Sequence, residues 1–201
     1  MATSSAPLAG VRVIESSMLG PAAITTHLAD LGAEVIKIES PAGDSIRQMT
    51  WPIVEGDSLM HLHVNRGKRS LVLDLRTPEG VETYLALVKD ADVVIEAMRP
   101  GALAKRGLSF EKMQGINPGI VFCTSSGYGA TGPYRGMPSH GIAYDTWGGQ
   151  VPIEHDEDDF AYFPDHTGVG IHAGPVYGAL GILAAVIRAR STGQGCYLEI
   201  A

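Results

Sequence analysis

Short apolar runs alternate with longer amphipathic stretches through the first two thirds of the chain. "VRVIE" (Val11 to Glu15) is a run of the kind that forms a buried strand. The turn "SSMLGP" follows. "AAITTHLADLG" then has helical spacing and stops at Gly32, a residue suited to closing a helix. "AEVIKIE" predicts the next strand, ending before Pro41. This β-α-β unit implies a parallel sheet with a right-handed crossover. Residues 40–67 scatter Gly, Pro and Trp, and predict a long excursion with one short helix near Asp57 to Val64. "RSLVLDL" predicts a strand, and "TPEGVETYLALVKDA" a helix with Thr77 as N-cap and Pro78 in its first turn. "DVVIEAM" is another strand, "GALAKRGL" and "SFEKMQGINP" are short helical pieces, and "GIVFCTSS" is a fifth strand. The predicted fold class is α/β, a Rossmann-like doubly wound and mostly parallel sheet.

After "GYGATGPYRG" the pattern changes. Residues 137–167 are loop-rich and acidic, including "EHDEDDF". "GPVYGALGILAAVIRAR" predicts a helix from about Pro175 to Arg190. It is apolar nearly all round and rich in Gly and Ala, which implies burial and close packing. "STGQG" ends it, and "CYLEIA" predicts a last strand. There is no internal repeat.

Composition narrows the function classes. With 201 residues, 45% hydrophobic and 18% charged, the chain suits one globular domain with a sizeable core. A formal net charge of -7 argues against a general nucleic-acid binder. The two cysteines, Cys123 and Cys196, fall in apolar strand-like stretches. That argues against a disulfide framework or a zinc site, and makes a reducing cytoplasm the expected location. "MATSSAPLAG" lacks the charged-then-apolar order of a signal peptide. No run of about 18 apolar residues is read, so no membrane association is expected.

Several stretches could carry chemistry. The first strand-to-helix turn, "SSMLGPAA", sits where such sheets bind ligands, but it lacks the GxGxxG of a dinucleotide site. A helix N-terminus there still offers free N–H groups; a plain turn is the competing reading. "NRGKRS" (Arg66, Lys68, Arg69) and "RPGALAKRG" (Arg99, Lys105, Arg106) are basic clusters beside predicted strands. They could meet to hold phosphates, or simply be solvated surface. The neighbouring carboxylates of "EHDEDD" repel one another and read as a solvated loop. His140, His155, His166 and His172 lack zinc-motif spacing, so no metal ligand is assigned. Ser125 and Ser126 precede "GYG" without a GxSxG elbow. In "YFPDHTGVGIHAGP", Asp165 stands just before glycines and an apolar helix.

Taken in order, "PLAGVRVIE", Gly20-Pro21, "LADLGAEVIKIESPAGD", "NRGKRSLVLDL", "ADVVIEAMRPGALAKRGL", "GYGATGPY" and "GILAAVIRARSTGQG" resemble the class III CoA-transferase family, which includes formyl-CoA and carnitine CoA-transferases and the α-methylacyl-CoA racemases. The resemblance runs from Pro7 to the chain end. It implies a CoA-binding large domain, of which residues 1–201 would be the N-terminal part, with a small domain and a returning C-terminal segment absent. It implies a nucleophilic aspartate, here Asp165, and a supporting Asp145 preceded by Tyr144. The racemases carry histidine at the position of Tyr144, and tyrosine is a poor base near neutral pH, which favours transfer over racemisation; His140 lies nearby in sequence. CoA contacts are implied at Ser17, Met18, Leu19, Leu71, Ala97, Met98, Arg99 and Lys105, with Ser40 replacing a frequent arginine and Ala97-Met98 a common Asn-Phe pair. The glycines of "GVGIHAG" are expected to present N–H donors to an oxyanion. The implied reaction moves CoA between an acyl-CoA and a small carboxylic acid through aspartyl anhydride and aspartyl-CoA intermediates, without a metal. The alternatives are a 2-methylacyl-CoA racemase or isomerase, and a non-catalytic CoA-binding fragment. The implied assembly is an interlocked homodimer or a heteromer of full-length chains.

Overall fold

A computed structural model of the chain describes residues 6–138 and 141–201. In chain order the elements are β1 (Arg12–Ser16), α1 (Leu19–Asp30), β2 (Glu34–Glu39), a 3-10 turn (Ser45–Gln48), β3 (Ile53–Val54), β4 (Asp57–Ser58), α2 (Leu59–Asn65), β5 (Arg69–Val72), α3 (Pro78–Val88) and β6 (Val93–Glu96). There follow a 3-10 turn (Ala104–Arg106), α4 (Phe110–Ile116), β7 (Val121–Ser125), α5 (Gly141–Trp147), β8 (Glu154–His155), β9 (Ala161–Tyr162), α6 (Gly170–Thr192) and β10 (Cys196–Ile200).

Six strands form one sheet in the order β10-β7-β6-β1-β2-β5, and every pairing in it is parallel. β1 lies in the interior, the chain winds outward through β2 and β5, then crosses back to β6 and winds the other way. This is the doubly wound order, and β10 completes it. β1, β6 and β7 read as apolar runs because both of their faces are covered. Val13, Val93, Ile95, Val121 and Cys123 face one core beneath α1 and α6, with Ile24, Leu28 and Ile182. Ile14, Val94 and Phe122 face the other core with Tyr84, Val88, Leu108 and Met113. Each large side chain buried in these layers contributes about 1.5–3 kcal/mol.

Helix starts follow the expected chemistry. The Thr77 hydroxyl accepts the Gly80 N–H at 3.1 Å and starts α3; Ser58 and Ser109 cap α2 and α4 in the same way. Two stretches are more regular than expected. The loop-rich residues 137–167 also contain α5 and the β8–β9 hairpin. Helix α6 also begins at Gly170, ahead of Pro175, which lies inside it.

By length and composition α6 could cross a membrane, at mean hydropathy 1.6. Its buried residues Pro175, Gly178, Ala179, Ile182, Ala185, Val186 and Ala189 nevertheless form one stripe at helical spacing, which packs on the sheet and on α1. The approach to α1 is close. A Cβ at Gly178 would come within 2.8 Å of Ile24, and one at Gly20 within 3.1 Å of Ile171. Thus one face of α6 packs in the core, but the expected burial all round does not hold, because Val176, Tyr177, Leu180 and Ile187 on its other face are exposed; the first turn of α6 abuts the turn after β1.

Candidate active site

The topological switch lies between β1 and β6, where the chain leaves neighbouring strands in opposite directions; sheets of this kind bind ligands at the carboxyl ends of those strands. Ser16 pairs with Glu96 there, and the Ala97 N–H donates to Ser16 O at 3.2 Å. After β1 comes the β1–α1 turn. Met18 is extended, Leu19 is left-handed at φ 54, and no side chain caps α1. A left-handed non-glycine costs about 1–3 kcal/mol and persists only when its surroundings enforce it. After β6 come Ala97 to Arg99.

The sequence-derived contacts divide accordingly. Met18 and Leu19 follow β1, and Ala97, Met98 and Arg99 follow the paired strand β6. Met18 is 46% exposed and lies 3.8 Å from the Ser45 hydroxyl through its sulfur. Ser17 is buried; its hydroxyl donates to Glu15 Oε1 at 3.0 Å and its carbonyl accepts from Lys37 Nζ at 2.6 Å. Met98 packs on the core and its sulfur receives Arg106 at 3.2 Å. Leu71 lies on the edge strand, separated from β1 by β2, with its side chain against the core. Arg99 and Lys105 are exposed, and neither has an ion-pair partner among the described residues.

The first basic cluster behaves differently from the phosphate-holding reading. Arg66 pairs with Asp30 at 2.5 Å and Arg69 with Glu34 at 2.9 Å. Lys68 turns inward to Glu15 at 2.7 Å. All three are engaged within the protein. The carboxylates of the acidic segment likewise serve their own hairpin: Asp156 Oδ1 accepts the N–H groups of Asp158 and Phe160, and His155 contacts Asp159. His166 contacts the Pro164 carbonyl, and His172 lines a cleft of about 80 Å³ with His27 and Arg66. His140 lies outside the described residues. No cluster of metal-ligating side chains occurs among the described residues.

The two aspartates differ sharply. Asp145, on α5, is 4% exposed, and its Oδ1 accepts the Gly170 N–H at 2.8 Å. A Cβ at Gly168 or Gly170 would come within 3.3 or 3.1 Å of its carboxylate, so these glycines let the chain close over it. Asp165 lies in the segment between β9 and α6. It is exposed, and it makes no hydrogen bond or ion pair among the described residues. The structure therefore does not tie Asp165 to the β1–α1 turn. Tyr144 stacks edge-on with Tyr128 of the "GYG" loop, ring centres 6.1 Å apart, which joins α5 to the end of β7. Of the expected oxyanion donors, some are already engaged. Because α6 starts early, the Gly170 N–H goes to Asp145, and those of His172 and Ala173 go to the Val169 carbonyl.

Sequence reasoning missed Glu96. It sits buried at the end of β6, accepting the Met98 N–H and the Thr124 hydroxyl, each at 2.8 Å. Burial raises its pKa above the usual carboxyl value, against these two hydrogen bonds. Its signal was a lone charge closing an apolar strand. Nearby, burial pushes the Cys123 thiol up to about 12, so it is no nucleophile.

A sequence model described as CoA-transferase family III matches residues 8–201. The chain is 35% identical over 201 residues to the succinyl-CoA–L-malate CoA-transferase beta subunit of Chloroflexus aurantiacus, covering 99% of this chain and 50% of that protein. It is 38% identical to the succinate–glutarate CoA-transferase of Agrobacterium fabrum, covering 97% of this chain and 50% of that protein. The fold superposes on the crystal structure of a CAIB/BAIF family protein from Brucella suis with a TM-score of 0.88 at 35% identity, covering 98% of this chain and 53% of that one. The chain thus spans about half the length of the relatives it matches.

Proposed function

Because this chain belongs to CoA-transferase family III, we propose that it forms the CoA-holding part of an enzyme that moves coenzyme A between an acyl-CoA and a small carboxylic acid. The observation that carries this reading is the switch in strand order between β1 and β6. An uncapped helix start at Met18–Leu19 follows β1 and Ala97–Arg99 follow β6, with Arg99 and Lys105 exposed and without an ion-pair partner among the described residues. Arg99 and Lys105 suit CoA phosphates, with Met18, Leu19, Leu71, Ala97 and Met98 as the proposed contacts along the path. Relatives named for succinate with malate or glutarate favour a small dicarboxylic acid as one substrate. Relatives named as alpha and beta subunits favour assembly with a second chain, alike or different.

The chemistry needs one carboxylate, and Asp165 is proposed for it because Asp145 is buried and already holds the Gly170 N–H. The Asp165 oxygen attacks the acyl-CoA carbonyl and expels CoA thiolate, leaving a mixed anhydride. The thiolate attacks the aspartyl carbonyl of that anhydride, releasing the first acid and forming an aspartyl-CoA thioester. The second acid's carboxylate attacks this thioester, giving a new anhydride and thiolate again. The thiolate then takes the new acyl group and restores the free carboxylate. Thioester energy is conserved throughout.

Mass spectrometry of the chain after mixing with succinyl-CoA tests this reading. A CoA-sized adduct on the peptide holding Asp165, lost in Asp165→Asn, is the expected result. The exposure of Asp165 favours a second reading, a CoA-holding part without its own nucleophile; CoA binding with no adduct would select it. Exchange of the α-proton of a 2-methylacyl-CoA with solvent would select a racemase.

A further inference from the structure

Beneath the β1–α1 turn lies a buried ionic cluster that no ligand-binding role explains. The Glu15 carboxylate is fully buried. It receives Lys37 at 3.1 Å, Lys68 at 2.7 Å, and the hydroxyls of Ser17 and Thr25. Lys37 also pairs with Asp44 at 2.9 Å. The side chains of Lys37 and Lys68 are 3% and 2% exposed. Burying charges in this way is rarely the cheapest route to stability, since apolar residues of similar volume often serve as well. What apolar residues cannot do is donate hydrogen bonds. Lys37 Nζ donates to the Ser17 carbonyl at 2.6 Å, and Lys68 Nζ to the Ala22 carbonyl at 2.7 Å. These two carbonyls bracket the turn that contains left-handed Leu19.

We propose that Lys37 and Lys68, oriented by Glu15, are positioning residues that hold the β1–α1 turn from both ends in the conformation that receives CoA. This rests on the reading that the turn is part of the CoA site. The two lysines do not touch the ligand; they fix the shape it meets. Releasing them makes binding itself bear the cost of forming the left-handed Leu19 turn.

The two ammonium groups differ in a way that can be measured. For Lys37, burial lowers the pKa, but Glu15 and Asp44 together outweigh it and the net shift is upward. For Lys68, burial is the largest influence. Glu15 opposes it, Lys37 adds repulsion, Asp44 is more remote, and the pKa falls to about 8. The facing groups are thus Glu15 on β1, Lys37 on β2 and Asp44 after β2, with the neutral Asn65 side chain on α2 at 3.2 Å. Between pH 8 and the unfolded lysine value near 10.5, the unfolded chain binds the extra proton. Folding stability linked to Lys68 therefore rises with pH in that window. The charge-assisted hold on the turn weakens over the same window. Stability and CoA affinity should move in opposite directions, which a purely structural role would not produce.

The test is the dissociation constant for CoA by calorimetry from pH 7 to 9.5, with urea unfolding at each pH. Wild type is compared with Lys68→Met and with Glu15→Gln/Lys68→Met, which leaves no uncompensated carboxylate if the single variant misfolds. The expected result is wild-type affinity that falls through pH 8 while stability does not. In the folded variant affinity should be about tenfold weaker at pH 7 and flat with pH. A folded variant with wild-type affinity and pH profile overturns the proposal. Wild type that binds no CoA at any pH overturns the CoA reading itself, and this proposal with it.

Discussion

Asp145 on α5 accepts the Gly170 N–H at 2.8 Å and so starts a helix that begins 25 residues further along the chain. Helix α6 has no side-chain cap of its own and no acid in its first turn. The Asp145 carboxylate supplies both, a hydrogen-bond acceptor and a negative charge at the positive end of the helix. It also fixes where the first turn of α6 meets Gly20 and the β1–α1 turn.

Removing that carboxylate should therefore act on stability before it acts on chemistry. Asp145→Ala is expected to cost about 1–2 kcal/mol in urea unfolding, and Asp145→Asn, which keeps an acceptor, about half as much. Losses within 0.5 kcal/mol for both variants, as for an ordinary surface site, would contradict the capping role.

The legibility of this chain follows from where its partners lie. Strands β1, β2, β6 and β7 were readable because burial on both faces writes unbroken runs of Val and Ile into the sequence. The early start of α6 was not readable. "GVGIHAGP" carries glycines and a proline that disfavour a helix, and what offsets them is Asp145, on another element. "NRGKRS" was legible in part. Arg66 and Arg69 are exposed, as a solvated surface requires, but Lys68 is buried, and the three residues reach Asp30, Glu34 and Glu15 in separate directions. The available signal was on the partner strands. Glu15 in "VRVIE" and Lys37 in "EVIKIE" are lone charges in buried runs, which must be paired. For Asp165 the sequence suggested a reagent, and the structure shows an exposed carboxylate with no hydrogen bond or ion pair among the described residues.

The excursion after β2 should show acid sensitivity of its own. Glu39 is buried, and despite burial its pKa is drawn down to about 2, mainly by Arg47, at 2.5 Å, and by Ser70. A carboxylate with a depressed folded value gives stability above its ordinary pKa and loses it as pH falls towards the folded value. Wild type should lose on the order of 2 kcal/mol from this group between pH 4.5 and 2. Glu39→Gln should show a shallower slope in that window; an unchanged slope would remove Glu39 from the account.

Exposed cations after β6 should act through screened attraction. Lys105→Ala is expected to weaken CoA binding several-fold at low salt and much less at 1 M, where the Debye length is about 3 Å. Arg99→Ala should follow the same trend. Equal losses at both salt concentrations would argue for a packing defect and against phosphate contact.

The place of CoA is the centre of the account, and amide hydrogen exchange with and without saturating CoA tests it most directly. The prediction is slowed exchange in peptides covering Ser16 to Pro21 and Ala97 to Gly107, the two segments that follow β1 and β6 at the switch point. Exchange should be unchanged around Gly10, Asp92 and Asn117 to Gly119, at the opposite ends of the strands. Protection confined to that opposite end would contradict the site, and with it the proposal that this chain carries coenzyme A at the carboxyl ends of β1 and β6.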